Sequence, residues 1–169
     1  MASQRPPIAV SLVHRVTAFF ALIILLGFWS LTAYAEIWLD QMGIAAAKRA
    51  IAFGVIVLIP VMAALGGSGR ALARGATQGL PGKKLARMKL MAANGVLVLA
   101  PAAWALTWLS ERGSFGGWFW AIQCLELATG ALNITLIVKN ARDGLVLSGR
   151  LKAARRKVAM PTVPNGVSG

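Results

Sequence analysis

The sequence predicts an all-α fold, an integral membrane four-helix bundle with both termini cytoplasmic. Three observations predict it: an apolar composition, four membrane-length runs, and basic residues gathered on one side of those runs. The chain is 57% hydrophobic and only 14% charged, with a mean hydropathy of +0.68, well outside the range of ordinary soluble domains. Its apolar runs at 16–35, 50–69, 90–110 and 113–138 each reach the roughly 20 residues a helix needs to cross a hydrocarbon core of about 30 Å. The first three carry no charged residue, and the fourth carries one, Glu126. A single transmembrane domain over 1–169 follows, with helices at about 10–35, 48–67, 88–110 and 117–140. A basic cytoplasmic tail begins at about 141.

The formal net charge is +13, which in a soluble protein would point to nucleic acid. Its distribution excludes that partner. Arg5 and Arg15 open the first helix; Arg70, Arg74, Lys83, Lys84, Arg87 and Lys89 fill the connection between helices two and three; Lys139, Arg142, Arg150, Lys152, Arg155, Arg156 and Lys157 follow helix four. Across the membrane stand Lys48, Arg49 and Arg112, offset by Glu36, Asp40 and Glu111. The positive-inside rule then sets the orientation and implies a multi-pass protein of a bacterial inner membrane. The basic groups are expected to meet anionic lipid headgroups. Trp29, Trp38, Trp104, Trp108, Trp118, Trp120 and Tyr34 all fall toward the outer helix ends, as a one-sided aromatic belt.

The individual elements follow from local chemistry. Pro6 and Pro7 disfavour helix before its start near Ala9. Helix one has a rival reading as a signal peptide, because Ala33, Tyr34 and Ala35 precede Glu36 in a small-x-small pattern, but the apolar run exceeds an ordinary h-region. A short outer loop, 36–47, leads to helix two. Helices two and three match as a candidate inverted repeat: "AFGVIVLIPVMAAL" and "ANGVLVLAPAAWAL" share the spacing of Gly54 with Gly95 and of Pro60 with Pro101. Apolar helices match easily, so the plainer expectation is local distortion at the prolines. The intervening "GGSGRALARGATQGLPGKKLARMK" reads as a membrane-surface connection; it lacks the Gly-Lys-Ser/Thr ending of a phosphate-binding loop. Ala63 and Gly67 form a small-xxx-small pair suited to helix packing. The stretch "KNARDGLVLSGRLKAARRK" is expected to continue helix four or lie on the surface, and "PTVPNGVSG" reads as a disordered end.

The chemistry-bearing residues are few. One His and one Cys exclude, by count, a self-contained zinc site or a haem held by two histidines of this chain; Cys124 reads as a small packing residue. On helix four, Gln123, Glu126, Gly130, Asn133 and Asn140 recur at helical spacing and line one face. A charged acid at a helix centre costs about 2.5 kcal/mol or more, so that face should look into the bundle. Glu126 is expected to serve either a structural hydrogen bond through Gln123 or an asparagine, or a proton or ligand role. Arg15 lies too far toward the cytoplasm to reach it, and Asn140 or Asp143 is the expected neighbour of Arg15. Asn94 and Asn133 sit at similar depth and are expected to bond to each other. On helix one, Ser11, His14, Ala18 and Ala21 share a face, with Arg15 able to snorkel to the headgroups.

The segment "SLVHRVT" at 11–17, preceded by "RPP" at 5–7, resembles the opening of the cytochrome b membrane-anchor subunit of succinate dehydrogenase. The resemblance implies that Ser11 and Arg15 hold a quinone carbonyl and that His14 lies near a haem propionate. Any haem b would take an axial ligand shared with another subunit. The stretch "ELATGALNITLIVKNARDGLVLSGR" is similar to bacterial four-span membrane proteins with no assigned function.

No nucleophile–base pair, metal cluster or cofactor fingerprint is present, so catalysis by this chain alone is not expected. The sequence favours a non-catalytic accessory or assembly subunit. Such a subunit packs against a larger inner-membrane complex, or forms a homo-oligomer, and holds a lipid-like molecule in the cytoplasmic half. The alternatives are a quinone- or haem-contacting anchor of a respiratory complex in electron transport, and a small proton-coupled carrier using Glu126.

Overall fold

The computed structural model describes residues 8–73, 78–147 and Gly149. The Arg5, Pro6 and Pro7 lead, Arg74, and the tail carrying Arg150, Lys152, Arg155, Arg156, Lys157 and "PTVPNGVSG" lie outside them. Among the described residues the chain is helical apart from short connections and has no strand, with α1 (Ile8–Trp38), α2 (Gln41–Ala73), α3 (Gly79–Asn94), a π-helical turn (Gly95–Leu99), α4 (Ala100–Glu111) and α5 (Gly117–Leu147). α3, the π turn and α4 form one continuous third span, giving four helices long and apolar enough to cross a membrane.

These helices overrun the apolar runs. α2 begins at Gln41 and not near residue 48, because Asp40 caps it: its Oδ1 accepts the N–H of Gly43 at 2.9 Å, satisfying one of the donors a helix start leaves open. Only Leu39 and Asp40 separate α1 from α2. Likewise α2 continues to Ala73 and α3 starts at Gly79, so most of the expected surface connection is helix. Gly79 takes φ +68, a left-handed conformation that glycine adopts without a Cβ penalty. α5 runs to Leu147, past the expected tail boundary at 141. Between α4 and α5, Gly113 takes φ +66 and its N–H bonds to the carbonyl of Ser110 at 3.0 Å, closing the helix end.

The two matched prolines behave differently. Pro60 lies inside an unbroken α2, whereas Pro101 follows the π turn, where the N–H of Ala100 reaches back to the carbonyl of Gly95. The wider turn relieves the collision a proline ring makes with the carbonyl four residues before it.

Three apolar clusters stack along the bundle. At one end Ala21, Leu25, Leu65, Met88, Met91, Leu136 and Ile137 pack together; Ile51, Val55 and Ala103 form the middle; Ala35, Ile44, Ala47, Leu106 and Phe119 form the other end. Phe19, Phe20, Val57 and Leu97 are exposed, a surface suited to acyl chains. The belt residues Trp38, Trp108 and Trp118 are likewise exposed. Ala33, Tyr34 and Ala35 sit inside α1, and Ala35 is buried in the end cluster. Two packing expectations are corrected. Cys124 is exposed, on the side of α5 away from the bundle; Ala63 and Gly67 are exposed too, with open space beyond Gly67.

Candidate functional site

Two polar clusters and one bridge between them occupy the bundle. The deepest charge is Lys48, with its side chain fully buried. Eight residues of α2 place it about 10 Å inside the start of the helix. It belongs to a buried face that also carries Ile44, Ala47, Ile51, Ala52 and Val55. Its Nζ lies 3.0 Å from Glu126 Oε2, 3.9 Å from Glu36 Oε1 and 3.4 Å from Thr32 Oγ1. The cluster ties α1, α2 and α5 together. The partner of Glu126 is thus a lysine, and not Gln123 or an asparagine as expected. Of the two expected neighbours of Arg15, Asn140 lines one cleft with it, whereas Asp143 pairs with Arg87.

One ammonium meets two carboxylates here, and the shorter contact goes to Glu126. Both oxygens of Glu36 and both polar atoms of Gln123 are buried with no hydrogen-bond partner among the described residues. A cavity of about 50 Å³ adjoins Glu126 and Thr32, walled by Trp29, Leu99, Ala103 and Gly130; that is room for a water molecule. Trp29 Nε1 donates to the carbonyl of Leu127 at 3.1 Å, fixing the wall. At the same end, Arg49 pairs with Glu111 at 2.8 Å on the exposed rim.

The bridge is Asn94 with Asn133. Asn94 Nδ2 donates to Asn133 Oδ1 at 2.9 Å and to the carbonyl of Thr129 at 3.1 Å, as their matched depth predicts. Asn133→Ala is expected to cost about 0.6 to 2 kcal/mol of stability, the range for interhelical hydrogen bonds in membrane bundles. Replacing both residues by leucine should recover most of it, since no polar group is then left without a partner. Unfolding of the purified protein in detergent measures both.

The second cluster lines a cleft of about 660 Å³ between α1 and α5, floored by α2 and α3. Ser11, His14, Arg15, Lys84 and Asn140 supply its polar end; Ala18, Phe19, Leu22, Leu65 and Ile137 supply its apolar end. Residues from the start of α1 and the end of α5 share this cleft, so the described chain enters and leaves at one end of the bundle. Ser68 Oγ donates to the carbonyl of Ala64 at 2.7 Å, so at its 3.2 Å contact with His14 it accepts from Nδ1–H. The ring of His14 also meets the backbone of Leu65, so it is held from the α2 side. The Ser11 hydroxyl donates to the carbonyl of Ile8 at 2.9 Å and accepts from Arg15 Nη2 at 3.2 Å.

The sequence reading brings Ser11, His14, Arg15 and Asn140 to this cleft but leaves Lys84 in a loop. Lys84 arrives because α3 extends back to Gly79. Arg87, beside it, is engaged by Asp143 at 2.6 Å and by Asn140 Oδ1 at 3.3 Å; Asn140 Nδ2 in turn donates to the carbonyl of Lys84 at 3.4 Å. Asn94, Gln123, Glu126, Asn133 and Asn140 are all buried, but they serve three separate places and not one stripe. Among the described residues, no cluster of His, Cys, Asp and Glu is arranged to hold a metal ion.

Fold and polar interior together define a multi-pass helical membrane protein. No family model, curated protein or solved structure matches the chain.

Proposed function

We propose that this chain is a non-catalytic subunit of a larger inner-membrane assembly and that it holds one lipid-like molecule in the cleft between α1 and α5. The observation that carries the reading is the cleft itself. Its volume falls within the roughly 300 to 1,000 Å³ of sites that take small-molecule ligands, and it grades from polar to apolar along the bundle axis. Arg15, Arg70, Lys83, Lys84, Arg87, Lys89, Lys139 and Arg142 lie at that end of the bundle, which supports placing it, and both chain termini, on the cytoplasmic side. The exposed apolar flanks are available to partner subunits or to a second copy.

Gentle extraction of the full chain, with identification of the subunits and small molecules that accompany it, tests this. We expect partner subunits and one amphiphile whose photoreactive analogue labels α1 and α5. Labelling spread evenly over all four spans would remove the reading.

Within the same cleft, a quinone is favoured by the Ser11–Arg15 contact: the guanidinium has further N–H groups to offer a carbonyl. In that case a quinone accompanies the purified chain and is lost with Ser11→Ala plus Arg15→Ala. A haem b contact predicts a Soret band that depends on His14 and on a second subunit. A proton-coupled carrier draws on a different observation, the carboxyl–ammonium cluster around Glu126, since ionisable groups within a span are functional candidates. It predicts that Glu126→Gln abolishes pH-gradient-driven uptake into vesicles.

A further inference from the structure

We infer that the molecule held in the cleft is a membrane lipid with an anionic head, seated on Arg15 and Lys84; this rests on the reading of the cleft as a lipid-like ligand site. The chemistry of the polar end decides the head. Among the described residues, neither Arg15 nor Lys84 has a carboxylate within ion-pair distance, whereas Arg87, the next cation on α3, is held by Asp143 at 2.6 Å. The pair Arg87–Asp143 shows that this end of the bundle supplies an acid where it needs one. Asp143 also acts on Lys84 at longer range, but among the described residues it is the one acid set against Lys84 and Arg87 together. Positive charge is therefore left over at this end, and Arg15 has N–H groups left after its two contacts to Ser11.

The alternative head, a neutral carbonyl, finds less. The Ser11 proton is spent on the Ile8 carbonyl, and the Nδ1–H of His14 is spent on Ser68. What remains on offer is positive charge. Below it, Met88 and Met91 line the cleft, flexible side chains that adapt to an acyl chain. That apolar extension assigns the anion to a lipid and not to free phosphate.

Gly144 makes room for the head. A Cβ at this position would lie 3.1 Å from Lys84 Nζ, so a side chain there displaces the ammonium and fills the polar end while leaving every cation in the sequence.

The test uses the full chain in mild-detergent micelles, titrated with phosphatidylglycerol or with phosphatidylcholine of the same acyl chains. Native mass spectrometry and the thermal midpoint read the binding. Phosphatidylglycerol should bind as one retained molecule and raise the midpoint, and phosphatidylcholine should do neither. Arg15→Gln with Lys84→Gln should weaken phosphatidylglycerol binding about ten-fold or more, the effect of losing one charge-assisted hydrogen bond. Gly144→Leu should block it, and Lys139→Gln, at an exposed lysine of α5 outside the cleft, should leave it unchanged.

Equal binding of the two lipids, or a quinone retained in their place, would overturn the anionic head and leave the cleft reading standing. Displacement of phosphatidylglycerol by inorganic phosphate, with no dependence on acyl chain length, would overturn the lipid assignment. Binding of both lipids unaffected by Gly144→Leu would place them outside the cleft and remove both conclusions.

Discussion

Lys48→Met is expected to destabilise the bundle by about 3 to 5 kcal/mol, the cost of removing one partner from a buried ion pair and leaving the other charged and unpaired. The expectation is large because of where the lysine sits. Its ammonium is completely enclosed and 3.0 Å from Glu126, and it is also the nearest cation to Glu36. Methionine fills most of the same volume, so the loss is electrostatic and not a cavity effect. Combining Lys48→Met with Glu126→Gln should recover part of it, since the nearer carboxylate is then neutral while Glu36, 3.9 Å from the ammonium, still loses its cation. Unfolding of the four proteins of this cycle in detergent measures the coupling. A coupling near zero would mean that the pair does not form. The same double variant separates stability from transport: a clasp tolerates it, and a carrier that needs an acid at Glu126 does not.

Lys48 also shows what the sequence concealed. Its four spans are legible because about 20 apolar residues in a row admit few other structures, and the inward face of α5 is legible because polar groups in lipid must find one another. The helix ends are not legible from hydropathy, since a helix that leaves the hydrocarbon core keeps its backbone bonds while its side chains turn polar. Reading α2 from the first apolar run placed Lys48 at the water boundary, where an ammonium needs no partner. The available signal was Asp40, a capping residue, followed by Ile44, Lys48, Ile51 and Val55 at helical spacing. Lys84 was missed for a related reason. "GLPGKK" contains helix breakers, yet α3 begins at Gly79 with the proline in its first turn, the place where a missing N–H costs nothing. Asn94 and Asn133 needed no such boundary. Equal depth on antiparallel helices was enough to pair them.

Gly54→Val is expected to cost about 1 to 3 kcal/mol through overpacking, whereas Gly95→Ala should be neutral or stabilising by up to about 1 kcal/mol. The two glycines occupy matched positions in the similar stretches of helices two and three, and the sequence alone predicts matched behaviour. Their surroundings differ. A Cβ on Gly54 would collide with Cζ and Cε1 of Phe28, so the α1 ring is seated on bare α2 backbone. Phe28 itself packs against the middle cluster of Ile51, Val55 and Ala103, which limits where the ring can go. At Gly95 nothing lies within 4 Å of the added atom, and its φ of −61 is one that alanine adopts without strain. Phe28→Leu on the Gly54→Val background should recover part of the loss, because the shorter side chain no longer reaches the new methyl groups. Thermal unfolding in detergent distinguishes these outcomes: equal effects at positions 54 and 95 would show that the ring is not seated as described. Opposite effects would mean that the shared glycine spacing serves a close helix contact in α2 and a helix distortion ahead of Pro101 in the third span, so the likeness of the two stretches carries no symmetry of role.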